Sequence, residues 1–234
     1  MNIVFFLISS LVIGYALGTI PFGIAVAFIA RRKNILKMGN KRHGAANVFR
    51  EIGPAAGIAT GFLDTLKSAG TAAVLLHLLD FPAYTLLPGA LGALAGHNWP
   101  LFLKFRGGEG VSVTMGIYLF FAPAIMGLML LLYLFLCGLW FMKIRPFYRY
   151  HMFNWQTVFC CAPGLVYIGG DGWVLSFWDI PFDIFFLLSM SLGLAGLLKQ
   201  IQMYGVLFLL KPSEFSNKYV NSDKKTLDKT EGNG

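Results

Sequence analysis

Residues 3–30 read IVFFLISSLVIGYALGTIPFGIAVAFIA, a stretch that contains no charged side chain. A helix needs about 20 apolar residues to cross the hydrocarbon core of a bilayer, and this stretch is longer than that. It is also much longer than the apolar region of a secretory signal peptide, and it lacks a basic segment and a small-residue cleavage site before Arg31. We therefore expect it to remain in the mature protein as a transmembrane helix.

The composition of the whole chain also indicates a membrane protein. Of the 234 residues, 56% are hydrophobic and 13% are charged, and the mean hydropathy is +0.65, whereas an average soluble domain is about 25% charged. This composition excludes disordered, collagen-like and disulfide-rich secreted proteins. The cysteines Cys137, Cys160 and Cys161 have no metal or redox spacing and are interpreted as small core residues. The chain is predicted to be an all-α integral membrane protein.

Apolar stretches along the chain predict about seven transmembrane helices. They lie near residues 3–30, 55–79, 83–103, 111–122, 123–141, 154–170 and 184–210. Residues 111–141 could instead form one bent helix, but two helices broken at Pro123 keep every basic loop on one side. Residues 1–211 then form one polytopic membrane domain, and the polar residues 212–234 are expected to be a disordered tail.

Lys and Arg in short loops predict the orientation, because such loops face the cytoplasm. The basic segments are 31–50, 104–106, 143–149 and the tail after Lys211, and the turns between them are acidic or neutral. All four basic segments are cytoplasmic if the amino terminus lies outside and the carboxyl terminus inside. Basic clusters can also bind nucleic acid, but short loops between apolar segments do not favour such a partner.

The first candidate site is the loop at residues 37–50, KMGNKRHGAANVFR, which combines glycines, side-chain amides and positive charge. Glycine lets successive backbone N–H groups turn toward an anion. A simple anchor beside lipid headgroups is the alternative, and it explains the basic residues at 31–33 better than it explains the glycines. The candidate phosphate-binding residues of this loop are Gly39, Lys41, Arg42, Gly44 and Asn47.

The second candidate site is the loop at residues 104–110, KFRGGEG, which immediately precedes an apolar segment. Backbone amides at a helix amino terminus can receive a phosphate. A glycine-rich turn is weak evidence alone, but this one lies on the same predicted cytoplasmic face as the first loop. Its candidate binding residues are Lys104, Arg106, Gly107, Gly108, Glu109 and Gly110.

Other polar and small residues within the apolar segments allow functional or structural interpretations. Asp64 and Lys67 share one helical face and can neutralise each other, although charges inside a membrane often mark a functional site. The pairs Gly14 with Gly18 and Gly92 with Gly96 predict close helix packing. Lone histidines are usually structural, and the chain has no hydrolase triad order, zinc spacing or nucleotide-binding loop. We expect no metal site.

The order of these motifs resembles the bacterial acyl-phosphate-dependent glycerol-3-phosphate acyltransferase family over about residues 14–120. Four motifs of that family are matched in the same order. They are Gly-Ser-Ile-Pro-x-Gly, with Thr19 in place of the serine, a glycine-rich loop ending in Asn-Val-x-Arg, Leu-Asp-x-x-Lys, and Gly-His-x-x-Pro-x-Phe-Leu-Lys-Phe. They are matched at residues 18–23, 39–50, 63–67 and 96–105.

The chain departs from that family's motifs at chemically important places. Asn40 stands where the family has a loop serine, and Lys41 and Arg42 stand where it has Gly and Asn. Glu109 replaces the second lysine of Lys-Gly-Gly-Lys-Gly, which puts a carboxylate where a phosphate is expected. Either Lys41 or Arg42 offsets this charge, or the site has lost its usual ligand. The carboxyl-terminal His-Arg-Glu-Asn-Ile element is missing, and the corresponding region reads Lys199-Gln200-Ile201-Gln202.

The resemblance implies a multi-pass enzyme of the bacterial inner membrane with its functional loops in the cytoplasm. The family moves a fatty acyl group from acyl phosphate to glycerol 3-phosphate, forming lysophosphatidate for phospholipid synthesis, without a metal or organic cofactor. Asn40, Arg50 and His97 are then the catalytic candidates, and membrane lipids surround the protein. Two alternatives stay open: a non-catalytic relative that binds a phospholipid or a partner protein, and a small-solute transporter.

Overall fold

A computed structural model gives the fold of this chain. It describes residues 2–121, 123, 127, 130–131, 190–192, 194–195, 197–199 and 201–202. Regular secondary structure in these residues is helical. Most of the predicted span at 123–141, all of the one at 154–170, the tail at 212–234 and the three cysteines lie outside the described residues.

Among the described residues, six α-helices and four short helical turns form the amino-terminal half, and one further helix lies nearer the carboxyl terminus. The α-helices are α1 Ile3–Gly18, α2 Phe22–Arg31, α3 Ala45–Glu51, α4 Pro54–Ala73, α5 Leu86–Asn98, α6 Val111–Phe121 and α7 Met190–Lys199. The 3-10 turns are Ile35–Lys37, Ala83–Thr85 and Leu101–Leu103, and a π-helical turn, Val74–Leu78, extends α4. The helical expectation is therefore confirmed for the described residues, among which Ile3–Arg31 is long and apolar enough to cross a membrane.

The first predicted span differs from expectation because it is two helices rather than one. The helical backbone stops at Gly18 and resumes at Phe22. Pro21 explains the break, since proline lacks an N–H donor and moves the preceding residue out of the helical region. The break exposes the carbonyl oxygen of Ile20, which a lysine of α4 uses.

Glycines hold α1 against α5. A Cβ on any of four glycines would overlap a backbone oxygen of the opposite helix, so the two backbones touch directly. The contacts are Gly14 with Gly89, Gly18 with Ala93, Gly92 with Leu11 and Gly96 with Tyr15. The predicted small-residue packing is confirmed, and it brings the end of α5 beside the break between α1 and α2.

Two apolar clusters place the remaining elements around α4. Leu192 of α7 packs with Leu94 of α5 and Ile117 of α6 in one buried cluster. Val48 of α3 packs with Ala27 of α2 in the other. These contacts bring α3, the start of α6 and the end of α7 to the same end of the helix bundle.

Two helix boundaries differ from those that the sequence predicted. Residues 37–50 were interpreted as a loop, yet α3 begins within them, because Val48 and Ile52 lie one turn apart and are buried together. The span predicted over 83–103 ends as α-helix at Asn98, since Pro100 disfavours the helical conformation in the residue before it.

Candidate active site

The two glycine-containing loops lie in contact. Arg42 Nη1 donates a hydrogen bond to the carbonyl oxygen of Gly107 at 3.3 Å. A Cβ on Gly44 would lie 3.3 Å from the Cα of Gly108, so the two backbones approach closely at this point. The sequence predicted that both loops lie on one face, and in the structure they contact each other.

Asn47 shapes the first loop from inside. Its Nδ2 donates to the carbonyl oxygens of Arg42 at 2.8 Å and Met38 at 3.2 Å, and its Oδ1 accepts from the backbone N–H of Asn40 at 3.2 Å. The side chain is buried. Asn47 was predicted to bind phosphate, but its amide is engaged by the loop backbone, so its role here is to hold the loop.

The turn that contains Asn40 depends on a left-handed glycine. Gly39 has a φ of 51°, and a Cβ there would overlap the Asn47 amide and lie 2.6 Å from Glu51 Oε1, so a larger residue does not fit. The Oδ1 of Asn40 accepts from the backbone N–H of Arg42 at 3.2 Å. Asn40 therefore stabilises its own turn, at an exposed position where the related family has a serine.

His97 lies beneath the second loop. Its carbonyl oxygen accepts from the backbone N–H of Gly108 at 3.1 Å, and a Cβ on Gly108 would overlap Nε2 of the His97 ring. Gly108 was predicted to offer its amide to a phosphate, yet that amide is already used by His97. The glycine is required because the histidine ring needs the space.

Lys67 connects three elements below the loops. Its ammonium group lies 2.7 Å from Asp64 Oδ1, 2.8 Å from the carbonyl oxygen of Ile20 and 3.1 Å from His97 Nδ1. The predicted mutual neutralisation of Asp64 and Lys67 is confirmed. An ammonium group only donates, so Nδ1 of His97 accepts and the proton of the neutral ring lies on Nε2, beside Gly108.

His43 is a second buried histidine in the site. Its side chain is fully buried, and its ring lies edge-on to that of His97, with 5.1 Å between the ring centroids. Burial above all, together with the positive charges of Lys67, Lys199 and Arg42, lowers the pKa of His43 from 6.5 to about 3, against a backbone hydrogen bond that raises it. The ring is therefore neutral at physiological pH.

Glu109 lies among cations. Burial raises the pKa of its carboxyl group, and the charges of Arg50, Arg42 and Lys199 partly counteract that rise. Of the two cations expected to offset Glu109, Arg42 is the one whose charge acts on its carboxyl group. The charge of Arg50 lowers the pKa of Glu109 more than that of Arg42 does. Arg50 was assigned to the site as a catalytic candidate and not as a partner of Glu109.

Lys199 was missed by the sequence interpretation as a site residue. It is fully buried, and its Nζ donates to the carbonyl oxygen of Asn98 and lies 5.4 Å from the centre of the Trp99 ring. A lysine inside an apolar segment is itself a signal of function. The sequence analysis considered Lys199 only as part of the region that lacks the family's carboxyl-terminal element.

Four of the remaining predicted residues lie at the surface of the two loops. Lys41, Arg50, Lys104 and Arg106 are exposed, and Gly110 ends the second loop with a φ of 86°. In the part of the chain that the structure describes, no three His, Cys, Asp or Glu side chains are grouped so that they could hold a metal ion. The arrangement is an exposed cationic surface above a buried layer of His43, His97, Lys67 and Asp64.

Comparison with known proteins identifies similar chains. A family model described as glycerol-3-phosphate acyltransferase matches residues 8–201. The glycerol-3-phosphate acyltransferase of Rhodopseudomonas palustris strain BisB5 is 43% identical over 118 residues, which are 50% of this chain and 59% of that protein. That of Syntrophomonas wolfei is 34% identical over 163 residues, 70% of this chain and 78% of that protein. The match to the Rhodopseudomonas palustris relative thus spans less than two thirds of that protein's length, whereas the match to the Syntrophomonas wolfei relative spans more.

A solved structure has a similar fold. The crystal structure of PlsY (YgiH), an integral membrane glycerol 3-phosphate acyltransferase in its glycerol 3-phosphate form, superimposes with a TM-score of 0.64 at 21% identity. The comparison covers 88% of this chain and 92% of that one. At this identity the likeness concerns the fold, which is that of an integral membrane protein.

Proposed function

The chain belongs to the glycerol-3-phosphate acyltransferase family, and from this premise we propose that it is a membrane acyltransferase of phospholipid synthesis. It transfers a fatty acyl group from acyl phosphate to glycerol 3-phosphate and forms lysophosphatidate. The observation that carries the proposal is the contact between the two loops through Arg42, Gly107, Gly44 and Gly108. Each substrate contains a phosphate, and two joined cationic loops suit two phosphates.

The reaction needs little covalent chemistry from the protein. A hydroxyl oxygen of glycerol 3-phosphate forms a bond to the acyl carbonyl carbon, and the bond from that carbon to the phosphate oxygen breaks. Phosphate leaves with the electron pair, and the hydroxyl proton leaves with it. Because acyl phosphate is already activated, positioning and charge stabilisation supply the catalysis.

Arg50 is the proposed ligand of one phosphate. Its guanidinium can bind two phosphate oxygens at once, which a lysine cannot do. The side chain is exposed at the end of α3, and its charge reaches Glu109 of the second loop. It therefore has access to solvent and lies near the junction of the loops.

The second phosphate is assigned to the second loop, with Lys104 and Arg106 as exposed cations. His97 presents an Nε2–H group beside Gly108, where it can donate to an oxygen of the substrate. Asn40 can donate or accept a hydrogen bond but cannot act as a nucleophile. These residues are proposed to orient the substrates.

The proposed topology has about seven transmembrane helices, with the amino terminus outside and both loops in the cytoplasm of a bacterial inner membrane. The basic loops at 31–50 and 104–106 support this orientation, as does their contact in the fold. Glycerol 3-phosphate is water-soluble, and the acyl chain is not. A site at the cytoplasmic end of the helices gives access to both.

A non-catalytic relative that binds phospholipid is the second candidate. The observation in its favour is Glu109, whose carboxylate lies among the cations that a phosphate would need. A transporter is disfavoured, because Asp64 and Lys67, charged residues within a predicted span, form an internal ion pair joined to His97 and Ile20.

An assay with purified protein in lipid nanodiscs tests the proposal. Acyl phosphate and glycerol 3-phosphate are supplied, and both phosphate release and lysophosphatidate are measured. A reaction without glycerol 3-phosphate corrects for simple hydrolysis. Lysophosphatidate formed only with both substrates supports the enzyme, whereas bound phospholipid without any product favours the non-catalytic relative.

A further inference from the structure

The end of α7 brings a buried ammonium group to the second loop. Lys199 is fully buried, and its Nζ donates to the carbonyl oxygen of Asn98. A Cβ on Gly107 would lie 2.5 Å from that same oxygen. The lysine and the loop glycine therefore meet at one carbonyl group, and Arg42 donates to the carbonyl oxygen of Gly107 from the other loop.

Among the residues that the structure describes, the immediate partners of Lys199 carry no charge. The carbonyl group of Asn98 and the ring of Trp99 are both uncharged, and a buried ammonium group needs an anion or strong hydrogen bonds. The buried side-chain amide of Asn98 adds unused polar capacity, because among the described residues neither its oxygen nor its nitrogen has a hydrogen-bond partner. This region is suited to an anionic group.

Glu109 marks a position at which this chain lacks a cation of the related family. In the motif that this chain resembles, the position of Glu109 is a lysine, so the loop has lost a cation. Lys199 supplies a cation from another helix, at the Asn98 carbonyl group against which Gly107 of the same loop packs. The positive charge lost from one element is present on a neighbouring one.

We propose a charge exchange between two positions. The related family carries its phosphate-binding lysine in the second loop, where this chain has Glu109, and Lys199 provides that cation instead. A phosphate group then lies between Lys199 and Arg42, and Glu109 is the counter-charge of Lys199 when the site is empty. The identification of that phosphate with a substrate rests on the proposed function. The anion site itself rests on the contacts of Lys199.

Binding of glycerol 3-phosphate and of inorganic phosphate, measured by calorimetry on the full chain in nanodiscs, tests the exchange. Lys199→Gln should weaken binding by about tenfold or more, as expected for the loss of a charge-assisted hydrogen bond. Glu109→Lys in the same chain should restore binding to within a few-fold of wild type. Lys33→Gln, which removes an exposed cation outside the site, should leave binding unchanged.

Folding must be separated from binding, because Lys199 is buried. Lys199→Met is a second neutral variant that suits an apolar helix, and Lys199→Arg retains the charge and should bind within a few-fold of wild type. Size-exclusion profiles and unfolding midpoints identify folded variants. Rescue of Lys199→Gln by Glu109→Lys also supports the exchange, since a purely structural role of Lys199 would not be replaced from another loop.

The outcomes distinguish this inference from the enzymatic proposal. Phosphate binding that depends on Lys199, without lysophosphatidate formation, supports the anion site and contradicts the acyltransferase. Unchanged affinity in the neutral variants of Lys199, or an equal loss with and without Glu109→Lys, overturns the exchange even if the protein is an active enzyme. A wild type that binds neither ligand also overturns it.

Discussion

The ammonium group of Lys67 lies 3.1 Å from Nδ1 of His97 and 2.7 Å from Asp64 Oδ1, so one buried cation both neutralises a carboxylate and fixes a histidine. The contact determines which nitrogen of His97 carries the proton, and Nε2 of that ring faces Gly108. The layer below the loops is thus connected to the surface on which the substrates are proposed to bind.

Lys67→Met should destabilise the protein, because it leaves Asp64 as an unpaired buried charge. Breaking a buried ion pair from one side typically costs about 3–5 kcal/mol. The double variant Asp64→Asn with Lys67→Met removes both charges and should recover most of that loss. Unfolding midpoints in detergent measure both effects, and a double variant no more stable than Lys67→Met would contradict the pairing.

Arg50→Ala should raise the KM for glycerol 3-phosphate by about tenfold or more, because a charge-assisted contact is lost. Arg50→Lys should restore little of it, since a lysine cannot bind two oxygens in parallel. Arg31→Ala removes an exposed arginine at the end of α2 and is the matched control. Unaltered kinetics in Arg50→Ala would place the phosphate elsewhere.

The sequence predicted two kinds of contact: pairs within a short segment, and close packing of helices that carry small residues. Glycine spacing predicted close helix packing, which the structure forms between α1 and α5, and the i, i+3 spacing predicted the Asp64–Lys67 pair. The hydrogen bond from Lys199 to Asn98 joins residues 101 positions apart, and no local periodicity indicates it. The amide of Gly108 was misinterpreted for a similar reason, because its acceptor, His97, belongs to the preceding helix.

Acidification should destabilise the protein through His43. Its pKa is 6.5 in an unfolded chain and about 3 in the fold, so between these values the unfolded chain binds a proton that the folded protein does not. The free energy of unfolding therefore decreases as the pH falls below about 6.5, and His43 lowers it by about 2 kcal/mol at pH 5.

Unfolding midpoints at pH 7.5 and pH 5 test this dependence on His43. His43→Gln, which stays neutral at both values, should show a smaller difference between them than wild type. His77→Gln changes an exposed side chain and should retain the wild-type difference. An equal loss in wild type and His43→Gln would assign the acid sensitivity to other groups.

Thiol labelling in intact cells tests the orientation. In a chain whose native cysteines are replaced by alanine, Lys41→Cys should be protected from an impermeant reagent and Asp179→Cys should be labelled. The reason is that positive loops stay in the cytoplasm. After the cells are permeabilised, both should react, which controls for buried thiols. Labelling of Lys41→Cys from outside would reverse the topology and separate the loops from cytoplasmic substrates.

Alanine substitutions at glycines should separate the catalytic geometry from general packing. Gly108→Ala places a methyl group onto the ring of His97, so it should reduce acyl transfer by about a hundredfold, as expected when a reacting geometry shifts by about 1 Å. Gly44→Ala should have a smaller effect, because its Cβ would lie 3.3 Å from the Cα of Gly108. Gly61→Ala, which meets only ordinary contacts at 3.5 Å near the start of α6, should keep full activity. Equal activity in all three variants would show that His97 and the second loop do not need their observed contact, and the proposed donor at Nε2 would then have no role in transfer.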